Sequence, residues 1–286
     1  MSAHVGLVIH HGRPLAAKLA GEVAAWLEAA GHEVRVPASD AEVIDARAGM
    51  GMADEVFPVG LDLALSIGGD GTMLRTVGLV TPYGVPILGI NMGHLGYLTA
   101  VEPDEWQTAL TRVLDGDFGI EERMTLDVEL ERPGEVRSGA RIALNDAVVE
   151  KNEAGHTVRL AVAISGQHAI GYAADALIVS TPTGSTAYNL SAGGPVVSPD
   201  LSALVVTPVA AHSLFGRPLV VGPREVVRVT VEEGAAVLGV DGVHCGRLAI
   251  GDVVECRAGD RPARLVTFGD RDFWRVITAK FGLDPR

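Results

Sequence analysis

The sequence predicts an α/β chain in two parts. Residues 1–119 and 264–286 form a doubly wound parallel-sheet domain, and residues 120–263 form a β-rich, sandwich-like domain. Three observations predict this. The first ~115 residues alternate short apolar runs with helix-like periodicity, as βαβ units do. Beyond residue ~116 the apolar period drops to two. The closing stretch RDFWRVITAKFGL (271–283) is helix-like again and is expected to return to the first domain.

Each element has a local reason. HVGLVIH (4–10) is a short apolar run read as a strand. PLAAKLAGEVAAWLEAA (14–30) opens on a proline suited to a first helical turn. Leu15, Leu19, Val23, Trp26 and Leu27 recur at helical spacing, and Gly31 stops the helix. EVRVP (33–37) is a second strand, and LDLALSI (61–67) a third, almost continuously apolar as a buried parallel strand should be. A helix is expected to open near Thr72, capped by that residue, followed by the strand VPILGI (85–90). EPDEWQTALTRVLDG (102–116) reads as a helix with acidic residues in its first turn. Then MTLDVELE (124–131), TVRLAVAIS (157–165), EVVRVTVEE (225–233) and DVVECRA (252–258) alternate with period two. In the last segment Phe273, Trp274, Ile277 and Phe281 are expected to form one apolar face.

Composition excludes several function classes. The chain has 286 residues, 48% hydrophobic and 21% charged, with net charge −13. That balance argues against nucleic acid or an anionic membrane as a partner, since both need a basic stripe. No signal-like leader and no run of ~20 apolar residues is visible, so a cytoplasmic location is expected. Cys245 and Cys256 are too few for a disulfide framework or a four-cysteine metal site. The three lysines, Lys18, Lys151 and Lys280, lie outside glycine-rich turns, and neither GxxxxGK[ST] nor GxGxxG occurs. Any phosphate must be held by backbone N–H groups, arginines and a divalent cation.

Five stretches carry possible chemistry. SIGGDGTMLR (66–75) follows the third strand. Its glycines Gly68, Gly69 and Gly71 permit positive φ and close approach of a ligand, and Thr72 stands at a helix start that can bind anions. Arg75 belongs with this phosphate-binding set. A plain strand–helix turn with a solvated Asp70 uses the same residues. NMGHLGYLTA (91–100) offers close backbone approach and Tyr97 as a stacking ring, or else as a packed one. Asn145-Asp146 in ALNDAVVEKN suits vicinal ribose hydroxyls, because a carboxylate accepts twice and an amide donates and accepts; an Asx turn is the alternative. The stretch 174–199 is the most specific, with Thr181, Thr183, Ser185, Thr186, Tyr188, Asn189 and Ser191 running into Gly193-Gly194-Pro195. Such a density of hydroxyls and glycines reads as a wall around a ligand. VTPVAAHSLFGRPLVV (206–221) holds His212 and Arg217, which, like His10, His11 and the Asp241-Gly242 turn, read first as structural.

Taken in order, GGDGT (68–72), GHLGYL (93–98), LNDAVV (144–149), TPTGSTAYNLSAGGP (181–195), the TP…HSL…RPLV run (207–220) and Asp241-Gly242 resemble the bacterial NAD kinase family over nearly the whole chain. GGDGT alone also resembles diacylglycerol and sphingosine kinases and phosphofructokinases; TPTGSTAY singles out the NAD kinases. The resemblance implies a Rossmann-like first domain and a β-rich second one. It implies transfer of a phosphoryl group from ATP, or from inorganic polyphosphate, to the adenosine ribose 2′-hydroxyl of NAD, with Mg²⁺ or a similar cation bound through the nucleotide phosphates. It also implies a homo-oligomer, a dimer or tetramer. Asp70 matches the family's general base and Gly71 its phosphate loop, while Tyr97 and Asp175 match positions near the nicotinamide. Asn145 and Asp146 match the ribose pair. Thr183, Thr186, Ala187, Tyr188 and Ser191 match the adenine-side pocket, and Ala210 falls within the matched run as a further NAD contact. Two departures stand out. The first strand is followed by His10-His11-Gly12-Arg13 where many relatives have Asn and a basic residue, leaving Arg13 for that role. Val243 and His244 follow Asp241-Gly242 where many have Gln. The alternatives to an NAD kinase are a lipid kinase on the same scaffold and an NAD(P) sensor without catalysis.

Overall fold

The computed structural model describes residues 2–44, 50–93, 96–99, 101–135, 139–153, 155–213, 215–269 and 273–282. The chain divides into two units, Met1–Glu122 with Ala263–Arg286, and Arg123–Pro262.

In the first unit a seven-stranded sheet runs in the order Gly51–Met52, Glu33–Pro37, His4–Ile9, Leu63–Gly68, Ile87–Asn91, Ala263–Thr267, Gly119–Arg123. From Gly51–Met52 across to Ala263–Thr267 neighbouring strands are parallel. The strand Leu63–Gly68 is buried along its whole length, as its unbroken apolar character requires. The helix Pro14–Ala29 packs Leu19, Val23 and Leu27 into the same core as Leu7, Leu65 and Ile90, and Trp26 meets Trp106 edge to face. The chain first winds outward from His4–Ile9 to Glu33–Pro37 and Gly51–Met52, then returns to Leu63–Gly68 on the other side. The strand order therefore reverses at the paired carboxyl ends of His4–Ile9 and Leu63–Gly68, the position where such sheets place ligands.

The second unit is a sandwich of two six-stranded sheets, antiparallel in their pairings. The strand Val227–Glu233 buries Val227, Val229 and Val231 and turns Arg228 and Thr230 outward, the alternation the sequence predicts. Ala176–Ser180 is buried on both faces: Leu177 and Val179 enter the sandwich core, and Ala176 and Ile178 pack with Val148 in a separate cluster that includes Ala192 and Val209.

Four expectations need correction. The helix after Leu63–Gly68 begins at Asp70 with Gly69 as its cap residue, so Thr72 sits inside the first turn and does not cap it. Gly68, Gly69 and Gly71 are outside the positive-φ region. The helix expected over 102–116 spans Trp106–Leu114, because 103–105 turn before it, and its first turn has no acidic residue. In the closing helix Phe273–Phe281 only Ile277 is buried, while Trp274 is 58% and Phe281 47% exposed.

Candidate functional site

In the first unit the site forms at the strand-order reversal. A cavity of about 460 Å³ is lined by Ile9–Arg13 from one strand end and by Gly69–Thr72 and Arg75 from the other. The turn is shaped by packing and not by unusual backbone. A Cβ on Gly68 would stand 2.1 Å from Thr72 Oγ1, so the Thr72 side chain fills the space that Gly68 leaves. Above Gly69 and Gly71 nothing approaches within 4 Å. The N–H of Thr72 donates back to the Gly69 carbonyl at 3.0 Å, and the N–H groups of Gly69, Asp70 and Gly71 stand at the N-terminal end of the helix, where such groups lack intrahelical acceptors.

Asp70 does not simply face solvent. Its carboxylate accepts the N–H of Tyr97 at 3.1 Å and of Leu98 at 3.2 Å. Gly96 makes that contact possible, since a Cβ there would lie 2.6 Å from Asp70 Oδ1. The Tyr97 ring lies under Lys280, whose Nζ is 3.5 Å from the ring centroid, a cation–π contact that sequence reasoning missed. Burial first, and then the Asp70 charge, push the Tyr97 phenol above its ordinary range. Arg75 reaches the cavity but also pairs with the buried Asp40. Arg13, which lines the same cavity, donates to the Met92 carbonyl.

In the second unit a buried hub carries the polar residues. The Asp241 carboxylate accepts the N–H groups of Leu144 at 2.7 Å, Asn145 at 2.8 Å and Asp146 at 3.1 Å. Asp241 itself has φ +48°, which the Asp-Gly pair tolerates. It reads as a turn residue in sequence, yet it clamps the Asn145-Asp146 backbone. Burial raises its carboxyl, and the three N–H bonds restrain the rise. Asp146 is buried and pushed up to about 7, by burial and then by the Asp241 charge. Among the described residues no group donates to the Asp146 carboxylate, so its oxygens remain available to hydroxyls.

The stretch 181–197 divides into an inward and an outward set. Thr181 donates to the Leu144 carbonyl and accepts the N–H of Gly184. Gly184 presses against Asn145, whose carbonyl oxygen would lie 2.1 Å from an added Cβ. Ser185 bonds both the carbonyl and the N–H of Val197. The Asn189 amide donates to the carbonyls of Ser185 and Pro195 and accepts from Thr207 Oγ1 at 2.6 Å. The reading of this whole stretch as a ligand wall is therefore corrected: Thr181, Ser185 and Asn189 hold the segment's own backbone. Thr183 is buried beside Arg123, and Thr186 donates to the Thr183 carbonyl. Ala187 is half-buried, while Tyr188 and Ser191 are exposed. The Tyr188 phenol is raised by burial and then by the charges of Glu150, Asp146 and Asp175, which places these groups in one electrostatic neighbourhood. Asp175 is paired with Lys151 at 2.7 Å. Ala210 is exposed with φ +48°, just past the strand Leu204–Val209. Val243 and His244 are exposed at the start of an edge strand. Among the described residues no group of three or more His, Cys, Asp or Glu is placed to hold a metal ion.

A doubly wound domain with a GGDGT turn at its switch point, joined in sequence to a sandwich with an Asn-Asp hub, defines a phosphotransferase of the nucleotide kinase type. Residues 5–118 match the model of the ATP-NAD kinase N-terminal domain, and residues 144–268 that of the ATP-NAD kinase C-terminal domain. The chain belongs to the NAD kinase family. It is 40% identical over 278 residues to an NAD kinase of Heliobacterium modesticaldum, covering 96% of this chain and 97% of that one. Yeast NADH kinase, solved in complex with NADH, is similar with TM-score 0.90 and 25% identity, covering 100% of this chain and 89% of that one. An NAD kinase from Archaeoglobus fulgidus, solved with ATP, is similar with TM-score 0.70 and 25% identity, covering 98% of each chain. No helix among the described residues is long and apolar enough to cross a membrane.

Proposed function

We propose that this chain phosphorylates the adenosine ribose 2′-hydroxyl of NAD to give NADP, with ATP or inorganic polyphosphate as donor. The observation that carries the reading is Asp70: a carboxylate anchored by two backbone N–H groups, at the rim of a cavity whose floor is an open glycine turn. The α/β domain binds the donor through the N–H groups of Gly69–Gly71, with Gly68 and Thr72 shaping the turn and Arg75 on the cavity wall. The β-rich domain binds NAD. In that domain Asn145 and Asp146 take ribose hydroxyls, Thr183, Thr186, Ala187, Tyr188 and Ser191 flank the adenine side, and Asp175 and Ala210 add dinucleotide contacts; in the α/β domain Tyr97 supplies a further NAD contact.

Asp70 accepts the proton of the 2′-hydroxyl as that oxygen forms its bond to the terminal phosphorus of the donor and the bond to the leaving phosphate breaks. In a loose transition state the proton leaves late, so the chief work of the carboxylate is to orient the hydroxyl. Among the described residues that line the cavity, Asp70 is the only acidic one, with His10, His11, Arg13 and Arg75 beside it. That donor set suits a cation held through the donor's phosphates and not by a protein cage. Mg²⁺ bound in this way would supply charge neutralisation on the phosphates. The protein acts as a cytoplasmic homo-oligomer, a dimer or tetramer. Incubating it with NAD and Mg²⁺, with ATP and polyphosphate in parallel, and reading NADP tests the proposal; NAD binding without turnover would instead establish a sensor.

A further inference from the structure

Behind the GGDGT turn lies a polar cluster that no sequence motif announces. Asp40 sits in the short helix Ala38–Ala41 and has no exposed surface. Its carboxylate accepts the N–H of Ile9 at 2.7 Å, the Ser39 hydroxyl at 3.0 Å, the His11 ring nitrogen Nε2 at 2.6 Å and one arm of the Arg75 guanidinium. A buried carboxylate is tolerated when it is paired and its lone pairs are filled, and Arg75 supplies the charge.

The distribution of these bonds over the two oxygens is informative. An Asp–Arg pair tends to close as a fork, with two parallel N–H···O bonds. Here the fork is prevented. Oδ1 is taken by His11 and Ser39, so Arg75 reaches Asp40 only through Nη2 on Oδ2. His11 Nε2 must carry the proton, because a carboxylate oxygen only accepts. Arg75 Nη1, 2.9 Å from the same Nε2, therefore faces another donor and finds no acceptor there. The Arg75 side chain keeps 34% of its surface exposed, and it lines the cavity with His11, Arg13, Gly69 and Gly71. Donors exceed acceptors on this wall, in a chain whose net charge is −13. What completes it is an anion.

We propose that Asp40 and His11 are positioning residues for the phosphoryl donor: together they hold Arg75 by one arm, so that Nη1 binds a donor phosphate in the cavity. This inference rests on the kinase reading above. His11 acts by occupying Asp40 Oδ1, which keeps the guanidinium from closing onto the buried carboxylate.

Steady-state kinetics on four variants, with separate KM values for ATP and NAD, test it. Arg75→Gln raises the ATP KM by roughly ten- to hundredfold, the range expected for a lost charge-assisted bond. His11→Ala raises it about tenfold, because the fork can then close. His11→Gln, whose amide can still donate to Oδ1, restores most of the loss. Asp40→Asn moves the ATP KM in the same direction, with thermal melting followed to separate unfolding from loss of the contact. The NAD KM stays within about twofold throughout. An unchanged ATP KM in Arg75→Gln or His11→Ala would overturn the proposal, as would equal rises in both KM values or failure of His11→Gln to rescue. Calorimetric titration of ATP and Mg²⁺ without NAD reads the same contact independently of turnover. Weaker binding by His11→Ala supports it; equal affinities refute it even if the wild type forms no NADP.

Discussion

The turn at 68–72 and the segment at 181–197 look alike in sequence. Both follow an apolar strand, and both combine glycines with hydroxyl residues. Their structures differ in kind. The first leaves open space over Gly69 and Gly71 and gathers its cationic groups from two elements, Arg13 from beyond the strand His4–Ile9 and Arg75 from the helix that the turn opens. The second consumes most of its polar groups internally, through Thr181, Ser185 and Asn189, and of its polar side chains turns Tyr188, Ser191 and part of Thr186 outward. Polar density along the chain is therefore a poor measure of ligand contact. The useful measure is how many of those groups remain unspent once the backbone has been satisfied.

Substitutions at the glycines of the two regions separate them most sharply. Gly184→Ala forces a Cβ to 2.1 Å from the Asn145 carbonyl oxygen, a backbone atom that cannot step aside. The expected loss is about 3 kcal/mol or more in urea unfolding. Gly71→Ala meets nothing within 4 Å, and its helical position favours alanine, so stability should stay within about 1 kcal/mol of wild type. Its ATP KM should nevertheless rise, since the added methyl projects into the cradle. If Gly71→Ala is as destabilising as Gly184→Ala, the contrast fails.

Asn189→Ala is expected to cost somewhat less, about 2–3 kcal/mol. It removes the donor to the buried Ser185 carbonyl and to the Pro195 carbonyl, and it strands the Thr207 hydroxyl. Denaturation midpoints measure it, with an unchanged m-value as the check that only stability moved. A surface role for Asn189 would leave the midpoint where it is.

A smaller effect is read through pH. The Asp146 carboxyl is raised from 3.8 to about 7, so its protonated form is favoured by folding. Its contribution to stability is present in full below about pH 4 and is lost as pH rises through about 7. Binding of ribose hydroxyls needs the opposite state, because only the carboxylate accepts from both. The NAD KM should therefore fall as pH rises from 6 to 8, on the order of a few fold, while Asp146→Asn flattens the profile and weakens NAD binding. A wild-type NAD KM that rises over that range would place the proton on another group.

How much of this was legible follows from the range of each signal. The strands His4–Ile9 and Glu33–Pro37 fall where the apolar runs put them, because burial on a sheet imprints directly on composition. The closing helix was legible as a helix but not in its packing: its four apolar residues do not share one buried face, and only Ile277 enters the core. Asp241 was visible as an Asp-Gly turn, yet its three bonds to residues almost a hundred positions earlier leave no local trace. Asp40 was silent altogether, since a four-residue helix has no periodicity and the partners His11 and Arg75 are remote in sequence. The turn at Gly69 was placed correctly, but positive φ was the wrong reason for its glycines; the space above them and the Thr72 side chain beneath Gly68 are the structural ones.

The central claim is that Asp70, held by the N–H groups of Tyr97 and Leu98, orients and deprotonates the acceptor hydroxyl. Its most direct test compares NADP formation by the wild-type protein and Asp70→Asn at saturating NAD, ATP and Mg²⁺. The asparagine preserves size and can still accept a backbone N–H, so the fold and NAD binding are retained. The account predicts that kcat falls by roughly 10²–10⁴-fold with the NAD KM changed by less than about threefold. An Asp70→Asn enzyme that turns over at the wild-type rate would contradict it.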